Sequence, residues 1–291
     1  MAPRRDQFLG SHWEAERLLR ELGIDTLPID PFAVARRLDI DLRPLPASSG
    51  GASGMLLHVN GAFGIAYPTH IDNEGFKRFS VAHEIGHYRL PGHVDAVLDA
   101  RGRHVSSAGF RSTDRYEMEA DHFASALLMP AQLFAAAATR AGDGLQAIEA
   151  LQTECETSFE STAIRYAQTS RDPVAVIRST NGTIDYAFMS GPLKEFSGLD
   201  WIRKGTPLPS DSVTADFNGN PENVARGKRA EGEGRLQDWF NGTHRQEIRE
   251  EVVGLGSYGK TLTLLTGMEH PDEVEDEDAE LEESWAVRFR R

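Results

Sequence analysis

The chain has 291 residues, enough for two or three domains, and its 40% hydrophobic content is sufficient to build buried cores. Its formal net charge is −14, and the acidic run at 272–283 accounts for most of that excess. Such a chain is a poor non-specific nucleic-acid binder, because phosphate contacts require clustered Lys and Arg. We expect a cytoplasmic protein without a membrane span, since no long apolar run is present and none follows Met1–Gln7. The single cysteine, Cys155, excludes an internal disulfide and is predicted to be a buried packing residue.

The N-terminal segment predicts two helices and a strand. His12–Leu22 has helical periodicity, and Gly23 is a typical stop signal. A second short helix is expected to begin at Asp30-Pro31, because proline fits the first helical position. Leu38–Leu42 is then predicted as a strand. The apolar face of the first helix is predicted to comprise Trp13, Leu18, Leu19 and Leu22.

A β-hairpin is predicted next. Ala47–Gly54 is rich in Gly and Ser, which is typical of a mobile loop. The segments Met55–Val59 and Ala62–Tyr67 flank Asn60-Gly61, a dipeptide that favours a tight hairpin turn. A sheet edge beside the helix that follows would suit an extended peptide bound as an additional strand.

The helix predicted over residues 72–90 carries the motif His83-Glu84-Ile85-Gly86-His87, of the form HExxH. Residues four apart lie on one helical face, so His83 and His87 can bind one metal ion. Glu84 would lie beside that ion and act as general base and then general acid in peptide hydrolysis. Two His and one carboxylate suit zinc best, with manganese as an alternative. The motif therefore predicts a metallopeptidase site.

Two segments follow this helix. Val94–Ser112 is polar and irregular, and both a binding loop or lid and a plain solvated connector remain open. A second strong helix is predicted over Thr113–Met129 and would end at Pro130. The buried stripe of this helix is predicted to comprise Ala120, Phe123, Ala124, Leu127 and Leu128.

A third protein ligand is needed, and three candidates compete. His93 has the spacing of the metzincin pattern, but Leu90 occupies the position where that pattern needs glycine. Glu117 lies on the next helix, with Asp121 one turn later to accept a hydrogen bond from a ligating histidine. Glu119 is about 200° around the helix from Glu117 and should point away. We favour Glu117 as the third ligand, and Asp121 as the acceptor of a hydrogen bond from a ligating histidine. His93 and Glu119 are expected to be solvent-exposed.

These motifs resemble those of the ImmA/IrrE metallopeptidases. The resemblance rests on residues 78–87, RFSVAHEIGH, and on residues 117–124, EMEADHFA, with the LLMP run that follows. The family typically has Asn where this chain has Asp121, a change that keeps a hydrogen-bond acceptor. Leu27-Pro28-Ile29-Asp30-Pro31 also fits the N-terminal pattern of the family.

The IrrE-type regulators of this family imply a domain order for the whole chain. It would have an α+β fold, with a zincin-like metallopeptidase domain at 1–135 and a helix-turn-helix-like segment at 136–171. A GAF-like α/β domain would occupy 172–270, and an acidic tail 271–291. The resemblance also implies a zinc-type endopeptidase that cleaves an XRE-type transcriptional repressor and so derepresses stress or DNA-damage-response genes. The alternative is a DNA-binding or ligand-sensing regulator with a non-catalytic metal fold.

The middle and C-terminal segments refine these expectations. Ala147–Thr169 predicts the helical pair, but its acids Glu149, Glu154, Glu156 and Glu160 would repel phosphate, so direct DNA binding is not expected. Pro173–Ile177 and Thr183–Met189 flank Asn181-Gly182, which predicts a second hairpin. Asp216–Gly234 is predicted as a mobile loop. By fold analogy alone, the C-terminal domain would bind a small-molecule signal.

Overall fold

The structure, a computed structural model, describes residues 8–45, 52–69, 73–106, 112–242 and 245–269. It is a mixed α+β structure, which confirms the predicted fold class at that level. Most of the predicted loop before Gly54, and the whole acidic tail, lie outside the described residues.

The chain divides into two compact units. The first comprises the described residues up to Gly142 together with Ala147–Thr162. The second comprises Asp143–Gln146 and the described residues from Ala163 onward. The division falls inside the predicted helical pair, so each unit contains part of it. The predicted domain boundaries themselves remain predictions.

Helices supply most of the first unit. The predicted N-terminal, HExxH and third-ligand helices are present, each within a few residues of its expected ends. The helices are α1 (Leu9–Glu21), α2 (Pro31–Arg37), α3 (Glu74–Arg89), α4 (His93–Val97), α5 (Arg115–Leu128), α6 (Ala131–Ala141), α7 (Gly144–Cys155) and α8 (Phe159–Thr169).

Polar caps fix where three of these helices begin. The side chain of Asp30 accepts a hydrogen bond from the Phe32 amide at the start of α2. Asn73 caps α3 in the same way, and Asp114 caps α5. Each cap satisfies an amide that has no partner within its own helix, which is why short polar residues mark these boundaries. The helix α3 stops before Pro91, as the sequence predicts.

A four-stranded sheet accompanies these helices, in the order β1-β3-β2-β4. The hairpin is confirmed: β2 and β3 are antiparallel, and the turn residues Asn60 and Gly61 have φ of 53° and 80°. Positive φ at both positions is what a tight hairpin turn requires. β1 runs parallel to β3. The strands are β1 (Asp41–Leu45), β2 (Gly54–Val59), β3 (Ala62–Pro68) and β4 (Arg103–Ser106).

Two N-terminal predictions need correction. The first strand begins at Asp41, three residues later than predicted, because the Leu38 amide still closes α2 and Asp39 turns the chain with φ 56°. Trp13 was predicted to face the core, but it is 58% exposed. It instead lies against the guanidinium of Arg17, with 5.4 Å between the Arg17 Cζ and the ring centroid.

The segment Val94–Ser112 is more ordered than predicted. Its described part continues α4 and includes the edge strand β4, which pairs with β2, so it is not irregular as predicted. Its role as a binding segment or a connector stays a prediction. Residues 107–111 lie outside the described residues. A strand of four residues is too short to give a recognisable alternation, which explains why the sequence pattern did not reveal it.

The second unit contains a five-stranded sheet in the order β6-β5-β9-β8-β7. The second predicted hairpin, through Asn181-Gly182, is confirmed. Short helices and an apolar core that includes Ile177, Phe240 and Ile248 accompany the sheet. The strands are β5 (Ala175–Thr180), β6 (Thr183–Met189), β7 (Arg229–Arg235), β8 (Glu247–Gly254) and β9 (Thr261–Thr266). The helices are α9 (Gly191–Glu195), α10 (Val213–Asn218), α11 (Pro221–Ala225) and α12 (Leu236–Phe240), with a short 3₁₀ helix at Gly256–Tyr258.

The prediction of a mobile loop over Asp216–Gly234 was wrong. Ser212 and Asn220 cap α10 and α11, and the Gly-rich stretch after them forms the edge strand β7. Gly232 is needed there because a Cβ atom at that position would lie 2.8 Å from Val213 Cγ2. Polar and glycine-rich composition therefore marked helix caps and a close contact here, and not disorder.

The single cysteine lies in the core. Cys155 is fully buried at the end of α7, which confirms its predicted environment. Among the described residues, no single helix is long and apolar enough to cross a membrane. Among those residues, α5 and α6 are together long and apolar enough, but they are separate helices with a 56° bend between them.

Candidate metal centre

Close packing of α3 against α5 builds the site. Gly86, inside the HExxH motif, faces Ala120 and Phe123 of α5. A Cβ atom at Gly86 would lie 3.3 Å from Ala120 Cα and 3.1 Å from Phe123 Cδ1. A side chain at this position would press on both residues, so glycine favours this close approach of the two helices. The glycine therefore brings the histidines of α3 within reach of the acids of α5.

Three side chains converge at this crossing. The Nε2 atoms of His83 and His87 are 3.0 Å apart. Glu117 places one carboxylate oxygen 3.5 Å from His83 Nε2 and the other 3.4 Å from His87 Nε2. Both histidines are fully buried, and Glu117 is 8% exposed. Two imidazole nitrogens and one carboxylate are the donor set that zinc and similar ions take in proteins, so these residues fit a metal ion.

Asp121 forms a hydrogen bond with His83 on the side of the ring that faces away from the cluster. Its Oδ1 lies 2.9 Å from His83 Nδ1, and the carboxylate is fully buried. The hydrogen bond leaves His83 Nε2 facing Glu117 and His87. Asp121 thus lies where the sequence placed a hydrogen-bond acceptor for a ligating histidine.

The ionisation of the cluster follows from these contacts. Burial alone would lower the pKa of His83, but hydrogen bonds to Asp121 and Glu117 raise it to about 10. Burial lowers the pKa of His87, and the positive charge on His83 lowers it further. Burial would raise the pKa of Glu117, yet hydrogen bonds from His104, His83 and His87 hold it well below its ordinary value. The cluster therefore retains one proton in a position where a cation would take its place.

Glu84 has a different environment from Glu117. It is fully buried, and neither of its carboxylate oxygens has a hydrogen-bond partner among the described residues. Burial raises the pKa of Glu84 to about 7, although the charge on His83 and the nearby Ser106 hydroxyl, which makes no well-aligned hydrogen bond with it, oppose the rise. Gly54 on β2 leaves space for this carboxylate, because a Cβ there would be 3.2 Å from Glu84 Cδ. Glu84 can therefore accept or release a proton near neutral pH.

Sequence reasoning missed His104 on the edge strand. Its Nε2 lies 2.8 Å from Glu117 Oε1, and its ring packs edge-on against His87 with centroids 4.5 Å apart. Along β4, His104 and Ser106 point inward, and Arg103 and Val105 are exposed. The spacing of His104 and Ser106, two residues apart, was the available signal, but it has meaning only once the segment is known to be a strand.

His93 and Glu119 were expected to be exposed, and both expectations were wrong. His93 is 1% exposed, since the chain turns at Gly92 with φ 78° and brings α4 against α3. Glu119 lies 2.9 Å from His93 and is only partly exposed. His93 contacts the Nδ1 of His87, whereas Glu117 faces its Nε2. His93 therefore lies on one side of the His87 ring, and Glu117 and His83 lie on the other.

The buried His-His-Glu cluster lies within the stretch of chain that matches a known peptidase family. Residues 35–166 match the peptidase M78 family model, described as the IrrE N-terminal-like domain, and the chain carries a domain of that family. A solved structure described as a Mycobacterium tuberculosis transcriptional regulator shares 18% sequence identity, with a TM-score of 0.56, over 89% of this chain and 76% of that one. At that identity the likeness shows a shared fold. A comparison with curated proteins found no match.

Proposed function

We propose that the chain is a metal-dependent endopeptidase that cleaves a transcriptional repressor. One observation carries the proposal: His83, His87 and Glu117 converge in a buried cluster next to Glu84, whose carboxylate has no hydrogen-bond partner among the described residues. Structural histidines and acids normally satisfy one another. Here Glu84, with a pKa near 7, could transfer a proton beside three side chains that could bind a metal ion.

His83, His87 and Glu117 would hold the ion, with Asp121 orienting His83. Zinc is the proposed metal because it prefers this donor set, and manganese is the alternative. When bound, the ion would polarise a peptide carbonyl and make water more acidic. The family of the N-terminal domain supports a peptidase, while the identity of the metal belongs to this proposal.

Glu84 would handle the proton. Its carboxylate accepts a proton from the attacking water and then delivers it to the nitrogen of the leaving amine. A pKa near 7 suits both steps, because the group is neither too weak a base nor too weak an acid at neutral pH. The space left by Gly54 allows the carboxylate to remain close to the reacting atoms.

The substrate would bind along β4. This strand is at the edge of the four-stranded sheet, and its inward-facing His104 touches Glu117. The backbone amide and carbonyl of Arg103 are already hydrogen-bonded to Asp99, so an extended peptide would pair with the outer side of β4 at Val105 and pass close to the cluster. The side chains of Arg103 and Val105 point away from the cluster.

The proposed substrate is an XRE-type repressor, whose cleavage would derepress stress or DNA-damage-response genes. The family resemblance supports this proposal, as does the description of the similar Mycobacterium tuberculosis structure as a transcriptional regulator. The proposal retains a helix-turn-helix-like segment, a GAF-like C-terminal domain that receives a small-molecule signal, and a cytoplasmic location. It assigns α7 and α8 to protein contacts and not to DNA, because Glu149, Glu154, Glu156 and Glu160 lie on or beside them.

The test is incubation of the full chain with the XRE-type repressors encoded in the same genome, followed by mass spectrometry of the products. The wild-type protein with zinc should produce two fragments from one repressor. Glu84→Gln keeps size and hydrogen bonding but cannot accept the proton, so cleavage should fall by roughly 10²–10⁴-fold. Glu74→Gln, an exposed change at the start of the same helix, is the matched control and should cleave normally.

Wild-type rates with Glu84→Gln, or no fragment from any of these repressors, would contradict the proposal. The similar structure's description also favours a second function, a DNA-binding regulator with a non-catalytic metal fold. A salt-dependent gel shift with promoter DNA separates the two. Tight, sequence-specific binding that is unaffected by Glu84→Gln would support the second function.

A further inference from the structure

A line of hydrogen bonds extends from the far side of His87 to the surface of α5. His87 Nδ1 lies 3.2 Å from His93 Nδ1, and His93 Nε2 lies 2.9 Å from Glu119 Oε2. Arg115 Nε donates to Glu119 Oε1 at 2.6 Å. The line begins at a fully buried ring and ends at Arg115, whose side chain is 72% exposed.

A bound cation would require the lone pair of His87 Nε2 in place of the proton that it shares with Glu117 in the metal-free cluster. With that lone pair exposed, only one arrangement of protons satisfies the contacts of the line. A neutral imidazole has one N–H, so that of His87 must be on Nδ1, where it donates to His93 Nδ1. His93 then has its own N–H on Nε2 and donates it to Glu119. The anionic Glu119 is held in place by Arg115. Each donor thus faces an acceptor along the whole line.

We propose that His93, Glu119 and Arg115 form a positioning relay for His87, and this inference rests on the proposed function. The relay would fix which nitrogen of His87 carries its proton and would hold the ring so that Nε2 faces Glu117. The pair His83–Asp121 does the same for the other histidine with a single carboxylate. The two histidines of the motif therefore have separate supports, one direct and one relayed.

Packing limits the freedom of the relay. His93 is 1% exposed, and the ring of Tyr116 meets it edge-on with centroids 5.0 Å apart. Because Glu117 and Glu119 are two residues apart on α5, that helix supplies both the third side chain of the cluster and the acceptor that supports His87. A shift of α5 would move both together, so the relay also couples the alignment of His87 to that of Glu117.

The test measures metal binding and metal environment, with no need for a substrate. Zinc affinity of the full chain is measured by chelator competition, and the visible absorption bands of the cobalt-loaded protein report the ligand geometry. His93→Leu, which removes both hydrogen bonds, should lower zinc affinity by about 10–100-fold and alter the cobalt bands. Glu119→Gln should have a smaller effect in the same direction.

A conservative variant separates positioning from packing. His93→Asn places an amide oxygen close to the position of Nδ1, so it can still accept from His87 and should recover most of the affinity lost in His93→Leu. His58→Leu is the matched control, since His58 stacks on Phe63 of the hairpin and has no contact with the relay. This control should leave affinity and spectrum unchanged.

Each outcome decides the proposal. Wild-type affinity and an unchanged cobalt spectrum in His93→Leu would overturn the relay while leaving the proposed function intact. If His93→Leu does not fold, the partly exposed Glu119→Gln decides alone, and wild-type behaviour there overturns the relay. A wild-type chain that binds neither zinc nor cobalt would instead overturn the proposed function.

Discussion

Both units bury a carboxylate, but the partners of that carboxylate differ. In the first unit, Glu117 faces three histidines, each of which can carry a charge. In the second unit, Glu250 is fully buried, and its Oε1 accepts from the amide and the hydroxyl of Thr214, which do not titrate. Its Oε2 has no hydrogen-bond partner among the described residues. Thr214 in turn shares a hydrogen bond with Thr263. The hydrogen bonds of Glu117 therefore come from ionisable groups, and those of Glu250 from neutral ones.

The difference shows why burial of a polar group is not by itself a sign of function. A buried acid whose hydrogen bonds come from neutral donors acts on stability, and loss of one of those donors reduces the free energy of unfolding. A buried acid among ionisable groups has a pKa that depends on its neighbours and responds to metal and pH. Substitutions in the two units should therefore affect different properties, metal affinity in the first and stability in the second.

Removal of the acid in the first unit should abolish tight metal binding. Glu117→Ala leaves His83 and His87 as the proposed ligands, so zinc affinity should fall by more than the roughly 100-fold typical of outer hydrogen-bond partners. Chelator competition measures this loss. Glu74→Ala, at the exposed start of α3, is the control. Unchanged zinc affinity in Glu117→Ala would remove this residue from the proposed site.

Metal affinity should also depend strongly on pH. The pKa of His83 is raised to about 10 in the metal-free cluster, so zinc must displace a proton at any lower pH. The apparent affinity should weaken by about tenfold for each pH unit between 9 and 7, and the affinity should be higher at the alkaline end. Calorimetry in two buffers of different ionisation enthalpy would count the released proton. Zinc binding at pH 8 without proton release would contradict this ionisation state.

A smaller loss is expected for the acceptor behind His83. Asp121→Ala leaves the three proposed ligands in place but removes the group that orients His83, so zinc affinity should fall by about 10–100-fold. Asp121→Asn keeps an acceptor and should lose less. The order Glu117→Ala, Asp121→Ala, Asp121→Asn in a zinc titration would support the assigned roles, and a reversed order would contradict them.

The second unit should respond in stability alone. Thr214→Val removes a hydroxyl that donates to the buried Glu250 and keeps the shape of the side chain. The free energy of unfolding should fall by about 1–3 kcal/mol, as measured by denaturant titration, and zinc affinity should not change. Thr153→Val, on the exposed side of α7, is a control of the same chemistry. A change in zinc affinity with Thr214→Val would erase the contrast between the units.

Sequence reasoning predicted the parts of the site that depend on local pattern. The helical spacing of His83 and His87, and that of Glu117 and Asp121, placed each pair on one face of its own helix, as the structure has them. The hairpin through Asn60-Gly61 followed from turn chemistry that requires positive φ. These features need information from only a few neighbouring residues.

The missed features depend on where the chain returns in space. His93 is buried because the chain turns at Gly92, and His104 reaches Glu117 because β4 pairs with β2. The direction of the turn cannot be read from the sequence, and the spacing of His104 and Ser106 is too short a pattern to identify a strand or its partner. Trp13 has a different cause: at about 100° per residue it lies roughly 140° around the helix from Leu18. Leu18 and Leu19 are buried as predicted, and Trp13 is exposed on another face.

The short edge strand β4 has a consequence for the state in which a target could be cut. A strand of four residues can form only a few backbone hydrogen bonds with a bound peptide, and it accepts only chain that is already extended. If a target binds at β4 as proposed, a folded target would have to open locally before its backbone could reach the cluster. When that opening is fast compared with cleavage, the rate depends on the fraction of target molecules that are open. Selectivity among targets would then reflect differences in their local stability as much as differences in their sequence.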